Sequence, residues 1–219
     1  MIKSKRNFVI AIILFLFSMA LNFPFPHEYP IGQDVFSALN IPLKSINGLH
    51  YVGITSLTLL IISLYFLGRS LEMYHNRMVL IAILLAFFLP MELVGAYQKT
   101  LASGINAVYY DRENSHCTFE MKNDTTLSAS CDLPFENYNN KAVQFNIEFY
   151  DKYLFEDETP LLPMMNEGGP YKVMLNGKER EIVTIESEID LSKLEIGSMS
   201  GEAWAVNVMI KDKGKVRKL

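Results

Sequence analysis

The stretch from Cys117 to Cys131, CTFEMKNDTTLSASC, holds the only two cysteines of the 219-residue chain. Its reading decides the fold of the half around it. Side chains alternate between the two faces of a β-strand. If the stretch folds back on itself so that Cys117 opposes Cys131, Phe119 opposes Ala129 and Met121 opposes Leu127, and that face is apolar throughout. The intervening pairs, Thr118 with Ser130, Glu120 with Ser128 and Lys122 with Thr126, are polar throughout. A slip by one residue would destroy this sorting, so the register stands independently of the cysteines. Opposed strand residues have Cα atoms about 4.5 to 5.5 Å apart, within the roughly 4.4 to 6.8 Å that a disulfide spans. The spacing predicts a structural Cys117–Cys131 bond, since the C-x-x-C spacing of redox sites is absent. The turn falls around Asn123-Asp124-Thr125.

The same period extends outward. Val143, Phe145, Ile147 and Phe149 alternate with Gln144, Asn146, Glu148 and Tyr150. Tyr171, Val173 and Leu175 lead into Asn176-Gly177, a hairpin signal. In the strand that follows, Ile182 is out of phase with Val183, Ile185 and Ile189, and a bulge near Ile182 would reconcile them. Trp204, Val206, Val208 and Ile210 share one face of a further strand, and Asp212-Lys213-Gly214 turns it into a last short strand ending at Leu219. With an opening strand at Ala107 to Tyr110, about seven strands predict a two-sheet sandwich of immunoglobulin-like type. The connection from Lys152 to Pro170 holds Glu156-Asp157-Glu158, which reads as a solvated loop because consecutive acids diverge and no calcium-ligand pattern accompanies them.

Residues 1–99 have a different composition. A bilayer core takes roughly 17 to 25 apolar residues in a helix, and Leu49 to Leu67 and Met78 to Gln98 meet that, with Glu92 as the one charge inside them. The first segment, about residues 7–23, is shorter. Lys3, Lys5 and Arg6 precede it and Ser18-Met19-Ala20 fits a signal-peptidase site, but Phe23 and Phe25 extend it as an anchor, and an uncleaved helix is the favoured reading. The region therefore has three spans, or two if the first is a cleaved signal. Arg69 and Arg77 share a side with the basic N-terminus, so the positive-inside rule places both in the cytoplasm and the domain at 100–219 outside. Pro24, Pro26, Pro30 and Pro42 exclude a regular helix through the first part of the intervening loop and make it an aromatic, proline-rich strap at the interface.

Glu92 lies five residues before Tyr97, about 7.5 Å inside the end of its helix. His50 and Tyr51 open the preceding span on the same side, which makes Glu92, His50 and Tyr51 a candidate intramembrane polar site, either a clamp between helices or a proton- or ligand-responsive group. No catalytic constellation accompanies it. H-E-x-x-H, G-x-S-x-G and the nucleotide-binding glycine motifs are absent, the four histidines are scattered, and neither a metal nor another cofactor is implied. From residue 101 onward, 20 Asp and Glu oppose 13 Lys and Arg, which argues against a nucleic-acid partner. The basic tail from Lys211 to Lys218 reads as a solvated edge. These observations predict a non-enzymatic, multi-pass protein of the cell membrane whose outer β-sandwich binds a protein or envelope component. The alternative is a membrane-embedded sensor, transporter subunit or enzyme using Glu92 and His50.

Overall fold

The computed structural model describes residues 2–45, 48–151, 161–192 and 200–219. It divides into two compact units, Met1–Ala96 and Tyr97–Leu219.

The first unit is helical: α1 (Lys5–Leu21), α2 (Ile31–Ala38), α3 (Tyr51–Ser70) and α4 (His75–Thr100), whose last turn belongs to the second unit. Among the described residues, two helices, α3 and α4, are long and apolar enough to cross a membrane, with mean hydropathies of 1.8 and 2.4. The helix α1 has 17 residues. It joins α3 through a seam of small side chains. Ser18 Oγ donates to the Ser56 carbonyl at 2.8 Å, Ser63 Oγ to the Ala11 carbonyl at 2.8 Å, and Asn22 Nδ2 to Ser56 Oγ at 2.9 Å. Small residues let helix backbones approach, and their hydroxyls supply attraction where hydrophobic burial has no driving force. The proline-rich strap forms the short helix α2 in its second part. A Cβ on Gly32 would come within 2.6 Å of Val52 and 2.7 Å of the Leu21 carbonyl, so only glycine permits that close approach to α1 and α3. The Lys3 and Ser4 amides donate to the Ser70 carbonyl. The basic N-terminus and the turn between Arg69 and Arg77 therefore share one end of the unit.

Among the described residues, the second unit has nine strands in two antiparallel sheets. One sheet contains β1 (Val108–Tyr110), β2 (His116–Asn123), β3 (Thr126–Asn137), β6 (Arg180–Asp190) and β7 (Gly201–Trp204). The other runs β5-β4-β8-β9, with β4 at Val143–Phe149, β5 at Tyr171–Leu175, β8 at Val208–Asp212 and β9 at Lys215–Lys218. A one-turn helix α5 (Leu161–Met164) lies between β4 and β5. The inner faces close one core, in which Phe119, Leu133, Phe135, Phe145, Ile147 and Ile210 are fully buried. Strand β3 pairs β6 along one edge, and β1 and β2 in succession along the other.

Cys117 and Cys131 are directly opposed in the β2–β3 ladder, with sulfurs at disulfide-bonding distance. The pairs Phe119–Ala129 and Met121–Leu127 follow in the same register. Met165 Sδ packs 3.3 Å from Cys131 Sγ. The turn is tighter than the sequence reading. The ladder shifts after Met121 so that Asn123, not Lys122, opposes Thr126, and Asn123 Oδ1 accepts the Thr125 amide at 3.0 Å. That side-chain bond closes a two-residue turn without glycine.

Three further expectations are corrected. The β3–β6 register runs unbroken from Thr126–Asp190 to Glu136–Arg180, so no bulge exists at Ile182. Ile182 faces outward and is 63% exposed. Asn176-Gly177 does not close a hairpin, because β5 pairs β4 while β6 pairs β3, so the turn carries the chain between sheets. A Cβ on Gly177 would sit 2.2 Å from the Asn140 carbonyl oxygen, which explains the glycine. Trp204 and Val208 belong to different strands in different sheets, with Ala205 at a φ of 53° between them.

Buried polar groups secure these crossings, as buried amides and hydroxyls must find partners. Asn137, fully buried, donates to the carbonyls of Lys141, Leu175 and Asn176, which ties the β3–β4 and β5–β6 crossings together. At the third crossing Tyr110 Oη donates to the Val206 carbonyl at 2.8 Å, and Ser115 Oγ accepts the Val206 amide at 2.9 Å. Burial holds the Tyr110 phenol well above its ordinary pKa, so it remains a donor.

Cys117 and Cys131 are 14 positions apart, and closing a loop of that size contributes about 3 kcal/mol in the chain-entropy model. The full-length C117S/C131S variant should lose about that much stability in urea unfolding followed by fluorescence of Trp204, the only tryptophan. Equal stability of variant and parent would contradict the assignment.

Candidate functional site

The two outer faces of the sandwich carry opposite charge. Along β2, β3, β6 and β7 the outward positions include Glu120, Asp132, Glu136, Glu186, Glu188 and Glu202, opposed by Lys122 and Arg180. Lys122 pairs with Glu188. The rest of the face keeps a strong negative excess. At its margin Trp204, 65% exposed, stacks on His116 with ring centroids 5.1 Å apart. The stack is held because His116 and Trp204 are opposed in the β2–β7 ladder.

The other sheet is basic. β8 pairs β4 only from Asn146 to Phe149 and then turns into β9, with Lys213 at a φ of 45° and Gly214 at 81°. Gln144 and Phe145 extend past that turn. The result is a recess of about 450 Å³ bordered by Gln144, Asn146, Lys172, Lys211, Lys213 and Lys215. Lys211 bonds Glu148 at 2.5 Å, while Lys172, Lys213 and Lys215 make no side-chain bond among the described residues and are exposed. A second recess of about 350 Å³ shares Gln144, Asp212 and Lys213 with the first, and adds Ser103, Gly104 and Lys141. The ammonium groups of Lys141, Lys172, Lys213 and Lys215, without a carboxylate partner among the described residues and at one end of a net acidic unit, make a surface suited to an anion.

The basic tail is thus only partly the solvated edge that its sequence implied. Arg217 is 6% exposed, because β9 pairs β8 with Arg217 opposite buried Ile210. It donates to the Ile105 and Val108 carbonyls at 3.1 and 2.5 Å. Burial lowers its pKa to about 10, which leaves it charged at neutral pH. Lys172 had no sequence signal linking it to the tail. Its outward phase in β5 was legible, but its approach to Lys213 and Lys215 depends on the sheet order.

Among the described residues, no hydrogen bond or ion pair joins Glu92 to His50 or Tyr51, and all three are exposed within the helical unit. Likewise no group of three or more His, Cys, Asp or Glu side chains converges on a point. The Glu156-Asp157-Glu158 run lies outside the described residues. Comparison with known protein families, curated proteins and solved structures finds no match to the chain.

An exposed Glu92 makes a simple prediction. Glu92→Gln in the detergent-solubilised full chain should leave Tm within about 2 °C of the parent, the shift expected for less than about 1 kcal/mol in a protein of this size. A fall of about 8 °C or more would show that the carboxylate clamps the helices.

Proposed function

We propose that the protein is a non-enzymatic, multi-pass membrane protein whose β-sandwich stands on the extracytoplasmic side and binds a protein or another envelope component. The observation that carries this reading is the segregation of charge between the two outer faces of a sandwich tethered to long apolar helices. A domain with one acidic and one basic face can engage a surface on each side, because complementary potential steers association and fixes its orientation.

Three spans are proposed, with α1 as the first. Its serine seam with α3 supports membership in the bundle. Phe87, Phe88 and Met91 on α4 are each about two-thirds exposed, a contiguous apolar surface that water would penalise and lipid would not. The clustering of Lys3, Arg69 and Arg77 near one end of the helical unit supports a cytoplasmic location for that end. An immunoglobulin-like class is proposed for the sandwich because the chain crosses between sheets after β3, β5 and β7, leaving β2, β3 and β6 in one sheet and β4, β5, β8 and β9 in the other. Its disulfide differs from the usual inter-sheet bridge by joining neighbours within one sheet.

A photo-crosslinking residue placed at Ser130 or Thr184 on the acidic face should give a discrete adduct in intact cells, and E186Q/E188Q should weaken it. Absence of any adduct from these positions, with normal protein levels, would contradict binding through this face.

A further inference from the structure

We propose that the basic recess between β4, β5 and the β8–β9 turn binds the phosphate headgroup of an anionic phospholipid, in the leaflet where α4 leaves the membrane. The proposal rests on α4 crossing a bilayer, but not on which side the sandwich faces.

Three observations converge on it. The first is charge. Lys141, Lys172, Lys213 and Lys215 border two contiguous recesses and have no side-chain partner among the described residues, whereas Asp212 is the only carboxylate lining them. A phosphodiester takes the charge that these lysines offer, and Gln144 supplies an amide donor beside them. The second is position. The last turn of α4 is fastened to the part of the sandwich that carries the recess. Gln98, buried, donates to the Asn106 and Val108 carbonyls at 3.3 and 3.4 Å, and Lys99 Nζ lies 5.5 Å from the centre of the Tyr138 ring. Ser103 and Gly104 line the second recess only three and four residues after Thr100 ends the helix. A chain of three residues spans at most about 11 Å, comparable with the polar zone that flanks a hydrocarbon core. The third is contrast. The unit as a whole is acidic, and lysine near an anionic membrane surface gains roughly 1 kcal/mol per residue, so concentrating the unpaired lysines here favours a lipid surface over a soluble acidic protein.

Lys172 and Lys213 both border a volume of about 450 Å³, large enough for a glycerophosphate headgroup.

The test is native mass spectrometry of the full-length protein released from detergent, titrated with phosphatidylglycerol or with phosphatidylcholine of the same acyl chains. The parent should retain phosphatidylglycerol preferentially. K213Q/K215Q should weaken that retention roughly twenty-five-fold, at about fivefold per lysine, while K122Q/R180Q, which removes the same charge from the acidic face, should leave it unchanged. Equal retention of the two lipids, or equal loss in both variants, would overturn the proposal. Competition by glycerol 3-phosphate at the same concentration as the lipid would also overturn it, by showing a soluble phosphate as the ligand. These readouts use solubilised protein, so a negative result leaves the anchored, partner-binding reading standing. Conversely, lipid selectivity without cross-linked adducts would remove only the acidic-face partner.

Discussion

Strand β3 is the element on which the architecture of the sandwich turns. Its inward positions, Leu127, Ala129, Cys131, Leu133 and Phe135, are all buried, and both of its edges are paired. A strand paired on both edges with one face in a core has no alternative register, because any slip by one residue would put its acids and serines inside. The disulfide, the unbroken β6 ladder and the packing of Phe135 against Tyr110 and Phe145 all follow from that single placement. The asymmetry of charge follows as well. Once the inner face is committed, the outward positions of this sheet are the acidic ones.

How far the sequence revealed this varies with the physics of each element. The Cys117–Cys131 register was legible because it depends on a local period and on two chains close in sequence. Asn176-Gly177 was misread because turn chemistry identifies a change of direction, not the sheet in which the next strand will pair. Ile182 led to an unnecessary bulge because an isoleucine was assumed to face inward, yet scattered apolar residues on a surface are ordinary. Trp204 was joined to Val206 for the same reason. The recess was invisible for a stronger one: its lysines come from β5, from the β3–β4 connection and from the β8–β9 turn, and no sequence period brings these together.

In the helical unit the limits are different. Length and hydropathy identify α3 and α4, but the serine seam between α1 and α3 has no distinctive spacing. Glu92 attracted interest because a charge in an apolar run is costly. Near the end of a helix that cost is small, and the side chain remains exposed with no hydrogen bond among the described residues.

The central claim is that an oxidised sandwich stands across the membrane from the basic N-terminus. Its most direct measurement is mass-tagging of cysteines in intact cells with a membrane-impermeant maleimide, before and after a membrane-impermeant reductant. Because Cys117 and Cys131 are the only cysteines, the account predicts no tag before reduction and two tags after it. Tagging that requires permeabilisation, or that occurs without reductant, would contradict it.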